Sequence, residues 1–95
     1  MKLLILIPCY NTHKYSTILL SNLLTQTSDD ILIVDDGSSP PINKSKFNKN
    51  NLFLIRNDIN KGKGYALKEG FKFALENSYT HIITLDGDMQ HDPLE

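Results

Sequence analysis

Residues 2–8 read KLLILIP and residues 30–36, opening the stretch DILIVDDGSS (30–39), read DILIVDD. Both are continuous apolar runs of strand length, without the polar alternation of a half-wet strand. A strand buried on both faces carries such a run, and strands buried on both faces belong to parallel sheets. Pro8 halts the first run, because proline cannot donate to a central ladder. The acidic turn Asp35–Ser38 ends the second. NLFLIRN (51–57) and THIITLD (80–86) supply two further strands. Between strands, residues 14–26 place Tyr15, Ile18, Leu19, Leu23 and Leu24 at helical spacing. A second helix is predicted over 62–78, GKGYALKEGFKFALENS. Its apolar face is Ala66, Leu67, Gly70, Phe71, Ala74 and Leu75, and its wet face Lys68, Lys72 and Glu76. The stretch 40–50, PPINKSKFNKN, reads as a polar loop with room for one helical turn.

The order β-α-β-β-α-β predicts an α/β fold: a Rossmann-like, three-layer α/β/α arrangement around an open, mainly parallel sheet of strand order 3-2-1-4. Ligands of such sheets collect at the carboxyl ends of the strands, where the strand order reverses. The unusual residues of this chain fall at that edge: Pro8–Asn11, Asp35–Ser38, Asn57–Gly62 and Asp86–Asp92.

Ninety-five residues hold one domain with a single modest core. A net charge of −1 gives no general attraction to nucleic acid or to an anionic membrane, although lysines cluster in NKSKFNKNN and NKGKGYALK. The single cysteine, Cys9, cannot form an internal disulfide, which points to a reducing compartment. LLILI is far shorter than the ~20 residues that cross a bilayer, and no signal-peptide cleavage site follows it. The expectation is a soluble, cytoplasmic domain. Leu94 and Glu95 read as tag-derived and carry no assigned function.

Three motifs offer chemistry. In DGDMQHD (86–92), Gly87 lets Asp86 and Asp88 face one side, and Gln90 adds an amide oxygen. Hard anionic oxygens in so sparse a set suit Mg²⁺ or Mn²⁺ completed by water or phosphate. The same residues also suit a polar turn capping a helix, with Asp92-Pro93 as N-cap and first helical position. In IVDDGSS the carboxylates bind a cation, accept hydrogen bonds from a ligand, or satisfy turn amides. Successive side chains of a strand point to opposite faces, so Asp35 is the structural member and Asp36 the ligand contact. In NKGKGYALKEG a glycine-spaced helix start offers backbone N–H groups to a phosphate, or is an ordinary helix start with a solvated lysine face. It is no dinucleotide fingerprint, because Leu67 stands where the third glycine belongs, and it lacks the P-loop spacing. Tyr10 provides either a stacking face for a base or a packing residue at the strand edge. His13, His81 and His91 have no metal-ligand spacing, and Cys9 has no base beside it in sequence.

Taken in order, ILIPCYN, ILIVDDGSS, NKGKGYALKEGFKFA and ITLDGDMQHDP resemble the nucleotide-binding half of the inverting family 2 glycosyltransferases, of GT-A fold. The ending looks most like the branch that transfers a sugar to polyprenyl (dolichyl-type) phosphate. The resemblance runs from about Leu3 to Pro93. It implies that Pro8, Tyr10 and Asn11 wall a base pocket, that Asp36 takes a hydrogen bond from the base, and that Gly62, Lys63 and Gly64 lie beside the nucleotide. It implies Asp86 near the ribose or a metal-bound water, Asp88 on a divalent metal bridging the diphosphate, and Gln90 as an added metal ligand. The donor would be a UDP- or GDP-sugar and the acceptor a polyprenyl phosphate. Residues 1–93 would then form a truncated GT-A domain, with the acceptor site and any catalytic base in a later half, so no catalytic residue is assigned. Strand four would be an exposed edge that invites dimerisation. Two other readings are a free-standing, non-catalytic nucleotide-binding module and a receiver-like phosphoacceptor domain. A receiver carries its acidic pair after the first strand, whereas here it follows the second.

Overall fold

The computed structural model describes residues 1–11, 13–47 and 49–85, with the side chains of 13–16 and 46 outside the description. The elements follow as β1 (Leu3–Cys9), α1 (His13–Gln26), β2 (Asp30–Asp36), a 3-10 turn (Lys44–Lys46), β3 (Leu52–Asn57), α2 (Lys63–Glu76) and β4 (His81–Thr84). All strand pairs are parallel, in the order β3-β2-β1-β4, as the alternation of strands and helices predicts.

The continuous apolar runs exist because the two central strands face a helix on each side. Ile5, Ile7, Ile31 and Ile33 point to one face and pack with Leu20 of α1. Leu4, Leu6, Leu32 and Val34 point to the other and pack with Ala66 and Ala74 of α2. The period-2 alternation of side chains therefore assigns every even-numbered residue of β1 and β2 to the α2 side. At Gly70 a Cβ would lie 2.4 Å from both Leu6 methyl carbons, so the bare backbone is what lets α2 rest on the sheet.

In both helices most of the face that the spacing suggests packs on the sheet, and part of it does not. In α1 the buried residue is Leu20, flanked by Leu19, Leu23 and Leu24, while Ile18 is half exposed. In α2 the buried line is Ala66–Gly70–Ala74, and Phe73 rather than Phe71 completes it, its ring 5.7 Å from that of Phe53. Phe71 is 41% and Leu75 80% exposed, which corrects their assignment to the packed face. The small residues set the contact line because only they permit close approach. That rotates Phe71 and Leu75 off the sheet.

At the amino edge, Thr80 and His81 N–H donate to Lys2 O, and the Tyr79 hydroxyl donates to Asp30 across the sheet. Burial and then this acidic neighbour push the Tyr79 phenol up to about 12. β4 lies at the sheet edge with all four residues exposed, Ile82 and Ile83 among them. Among the described residues no helix is long and apolar enough to cross a membrane.

Candidate functional site

Three strand ends meet at the carboxyl edge, and each continues into a loop bonded to its neighbour. The first link ties the end of β1 to the turn after β2. Asn11 adopts φ +52°, a left-handed conformation that asparagine tolerates. Its N–H donates to Ser38 Oγ at 2.9 Å, and its Oδ1 accepts from Ser39 N–H at 2.8 Å. The second link ties that turn to the loop after β3. Asp36 O accepts from Asn60 Nδ2 at 3.2 Å, and a Cβ on Gly37 would stand 2.5 Å from Asn60 N. With φ +83° as well, position 37 accepts no side chain without moving one loop off the other.

The two carboxylates of β2 part as the alternation predicts. Asp35 points to the α1 side, has no exposed surface, and pairs with Arg56 Nη1 at 2.8 Å. Its other partners are Ser38 N–H at 3.0 Å and Ile42 N–H at 2.9 Å. Burial alone would raise its pKa, but the hydrogen bonds from Ser38, Ile42 and Arg56 outweigh that and hold the carboxyl below its ordinary value. Every face of Asp35 is taken up by the fold.

Asp36 points to the α2 side and lines a cavity of about 290 Å³ with Pro8, Tyr10, Asn60, Gly62 and Lys63. Its Oδ2 accepts from Gly62 N–H at 2.8 Å, and its Oδ1 accepts from Lys61 N–H at 2.9 Å and Asn57 Nδ2 at 3.0 Å. The carboxylate thus anchors the turn into α2, where Gly62 at φ +97° serves as N-cap without a side-chain cap. A helix start beside a cavity turns a positive dipole end toward an anionic group. Tyr10, 48% exposed, presents a ring at the cavity wall.

The structure therefore gathers Pro8, Tyr10, Asp36, Gly62 and Lys63 around one cavity. Asn11 and Gly64 adjoin that set in sequence without lining it; Asn11 is the tie between two loops. Asp86, Asp88 and Gln90 lie outside the described residues. β4 does carry the chain toward this edge, where Leu85 N–H donates to Leu6 O at 2.9 Å. Cys9, Asn60 and Ala66 also line the cavity; Cys9 and Asn60 fall within the edge segments that the sequence singles out, and Ala66 does not. Ala66 carried a usable signal, since it sits four residues after Gly62 and so on the same helix face. Larger depressions of about 400 and 600 Å³ flank α2 and the 3-10 turn, away from the converging strand ends.

Comparison with known proteins agrees with this fold. The glycosyl transferase family 2 profile matches residues 4–95. An uncharacterized protein of Methanocaldococcus jannaschii is 41% identical over 96 residues, covering 95% of this chain and 42% of its own length. The UDP-N-acetylglucosamine–dolichyl-phosphate N-acetylglucosaminyltransferase of Methanococcus voltae is 35% identical over 107 residues, covering 94% of this chain and 42% of its own length. A poly-β-1,6-N-acetyl-D-glucosamine synthase of Staphylococcus epidermidis is 35% identical over 88 residues, covering 87% of this chain and 21% of its own. The chain spans less than half the length of these relatives.

Proposed function

This chain belongs to glycosyl transferase family 2, and from that premise we propose that its carboxyl-edge cavity receives the nucleoside diphosphate of a sugar donor. The observation that carries the reading is the cavity itself. An acceptor-only carboxylate (Asp36), a flat ring (Tyr10) and the positive end of α2, led in by Gly62 and Lys63, converge on one space. These match, in order, the N–H edge of a base, its π face and a phosphate.

A nucleoside diphosphate leaving group gains negative charge as the sugar–oxygen bond breaks, and a divalent cation stabilises that charge when bound. Asp86, Asp88 and Gln90 are the residues that would hold Mg²⁺ or Mn²⁺. Two carboxylates and an amide oxygen fit a cation that keeps several positions for water and phosphate. In the proposed inverting transfer, a polyprenyl phosphate acceptor attacks opposite the leaving group. Being already an anion, it needs no general base to remove a proton. The activity of the Methanococcus voltae relative supports the dolichyl-type acceptor, and the N-acetylglucosamine handled by both named relatives supports a donor carrying that sugar.

Amide ¹H–¹⁵N spectra of the 95-residue chain, titrated with UDP and GDP in the presence and absence of Mg²⁺, test this reading. Metal-dependent shifts at Tyr10, Asp36 and Gly62 are expected, larger for UDP. A dispersed spectrum that ignores both nucleotides overturns it.

A further inference from the structure

Asn57 closes β3 and is 8% exposed. Its side-chain nitrogen donates to Asp36 Oδ1 at 3.0 Å and to Glu69 Oε1, on α2, at 2.6 Å. A carboxamide nitrogen has two hydrogens, so both are committed: one to the carboxylate at the cavity wall, one to the helix beyond it. Asp36 Oδ1 also accepts Lys61 N–H, which fills both of its acceptor positions. Oδ2 accepts Gly62 N–H alone among the described residues, leaving one acceptor position on the oxygen. The terminal torsion of an aspartate is broad, so nothing intrinsic to Asp36 holds its carboxylate in one plane.

We infer that Asn57, itself held by Glu69, is a positioning residue for donor-base recognition. It pins Oδ1 so that the remaining acceptor position of Asp36 stays on Oδ2 in a fixed orientation. The inference rests on the nucleotide reading above and names the base class for that site. A fixed, acceptor-only oxygen pairs with a base presenting a ring N–H, as uracil does at N3 and guanine at N1. It repels a base with a ring-nitrogen acceptor at that place, as in cytosine. With Asn57 gone, one of the three donors that hold the carboxylate plane is lost, Lys61 N–H and Gly62 N–H remaining, and the distinction between donor and acceptor edges weakens. Neither Asn57 nor Glu69 lines the cavity. Their effect therefore runs through Asp36 and not through contact with a ligand.

The test is calorimetric titration of the full chain with Mg²⁺, using UDP, N3-methyl-UDP, GDP and N1-methyl-GDP. The parent, Asn57→Ala and Glu69→Ala are compared. The parent is expected to prefer the better nucleotide over its N-methyl counterpart by about tenfold or more, the value of one hydrogen bond to a charged group. In Asn57→Ala that ratio falls by about fivefold. In Glu69→Ala, which removes only the outer support, it falls by about threefold. A merely structural tie would lower the melting temperature and leave the ratio intact. An intact ratio in the variants overturns the inference while the nucleotide reading stands. A parent that binds no nucleotide overturns both. Should Asn57→Ala fail to fold, Glu69→Ala decides alone, since the Glu69 side chain is only partly buried.

Discussion

The α1 and α2 sides of the sheet treat adjacent carboxylates in opposite ways. On the α1 side Asp35 is enclosed by Arg56, Ser38 and Ile42, with no exposed surface and no room for a ligand. On the α2 side Asp36 is almost as buried, yet forms part of a cavity wall. Burial therefore does not distinguish a structural carboxylate from one available to a ligand. The discriminating facts are what the helix on that side brings up to it. α2 approaches through Ala66 and the glycine-led turn at Gly62, and leaves space; the loop leading to the 3-10 turn fills the equivalent space beside Asp35 with Ile42 N–H.

Breaking the α1 side should cost the most. Asp35→Asn removes the anion opposite a partly buried Arg56 and is expected to destabilise by about 3–4 kcal/mol, read from urea melts. Its pH dependence has a defined sign. The folded pKa is depressed, so the stabilisation is fully present above the ordinary value of 3.8 and is lost as pH falls through the folded value. The parent should lose stability in acid below that value, and Asp35→Asn should show a flatter acid limb. Gly37→Ala comes next. Its Cβ would press on Asn60 backbone at 2.5 Å, at a positive φ, for about 2–3 kcal/mol. A smaller loss would mean that the two loops separate easily.

Asp36→Asn sharpens the contrast. It replaces one acceptor by a donor facing Gly62 N–H, so the stability loss should be about 1–2 kcal/mol. Nucleotide affinity should nevertheless fall by at least about tenfold. Equal effects at Asp35 and Asp36 on both measurements would dissolve the distinction between the two sides. Phe71→Ala should cost the least, below about 1 kcal/mol in the same melts, because the ring is 41% exposed. A fully packed phenylalanine would cost about 3–5 kcal/mol. A loss of that size would put Phe71 back on the sheet.

Much of this architecture was legible before any coordinates. KLLILIP and DILIVDD announce a parallel sheet because only two-sided burial tolerates unbroken apolar runs. That Asp35 and Asp36 face opposite sides of the sheet follows from alternation alone. The phase of α2 was legible only in part: Ala66, Leu67, Gly70 and Ala74 fall on the packed side as their spacing implies, and Phe71 and Leu75 do not. Alanine, glycine and phenylalanine all score as apolar, and spacing does not reveal that the closest contact must be made by the smallest of them. Arg56, Asn57 and Glu69 were not legible either, because their hydrogen bonds to the site span 12 to 21 residues of sequence.

The sequence by itself determined the strand order, the edge at which polar residues collect and which face each strand residue takes. These depend on local periodicity and chain connectivity, both written linearly. Only the tertiary structure decided which polar groups are spent on each other and which still face a cavity. That depends on distances between loops far apart in the chain, which hydrogen-bond geometry fixes to a few tenths of an ångström.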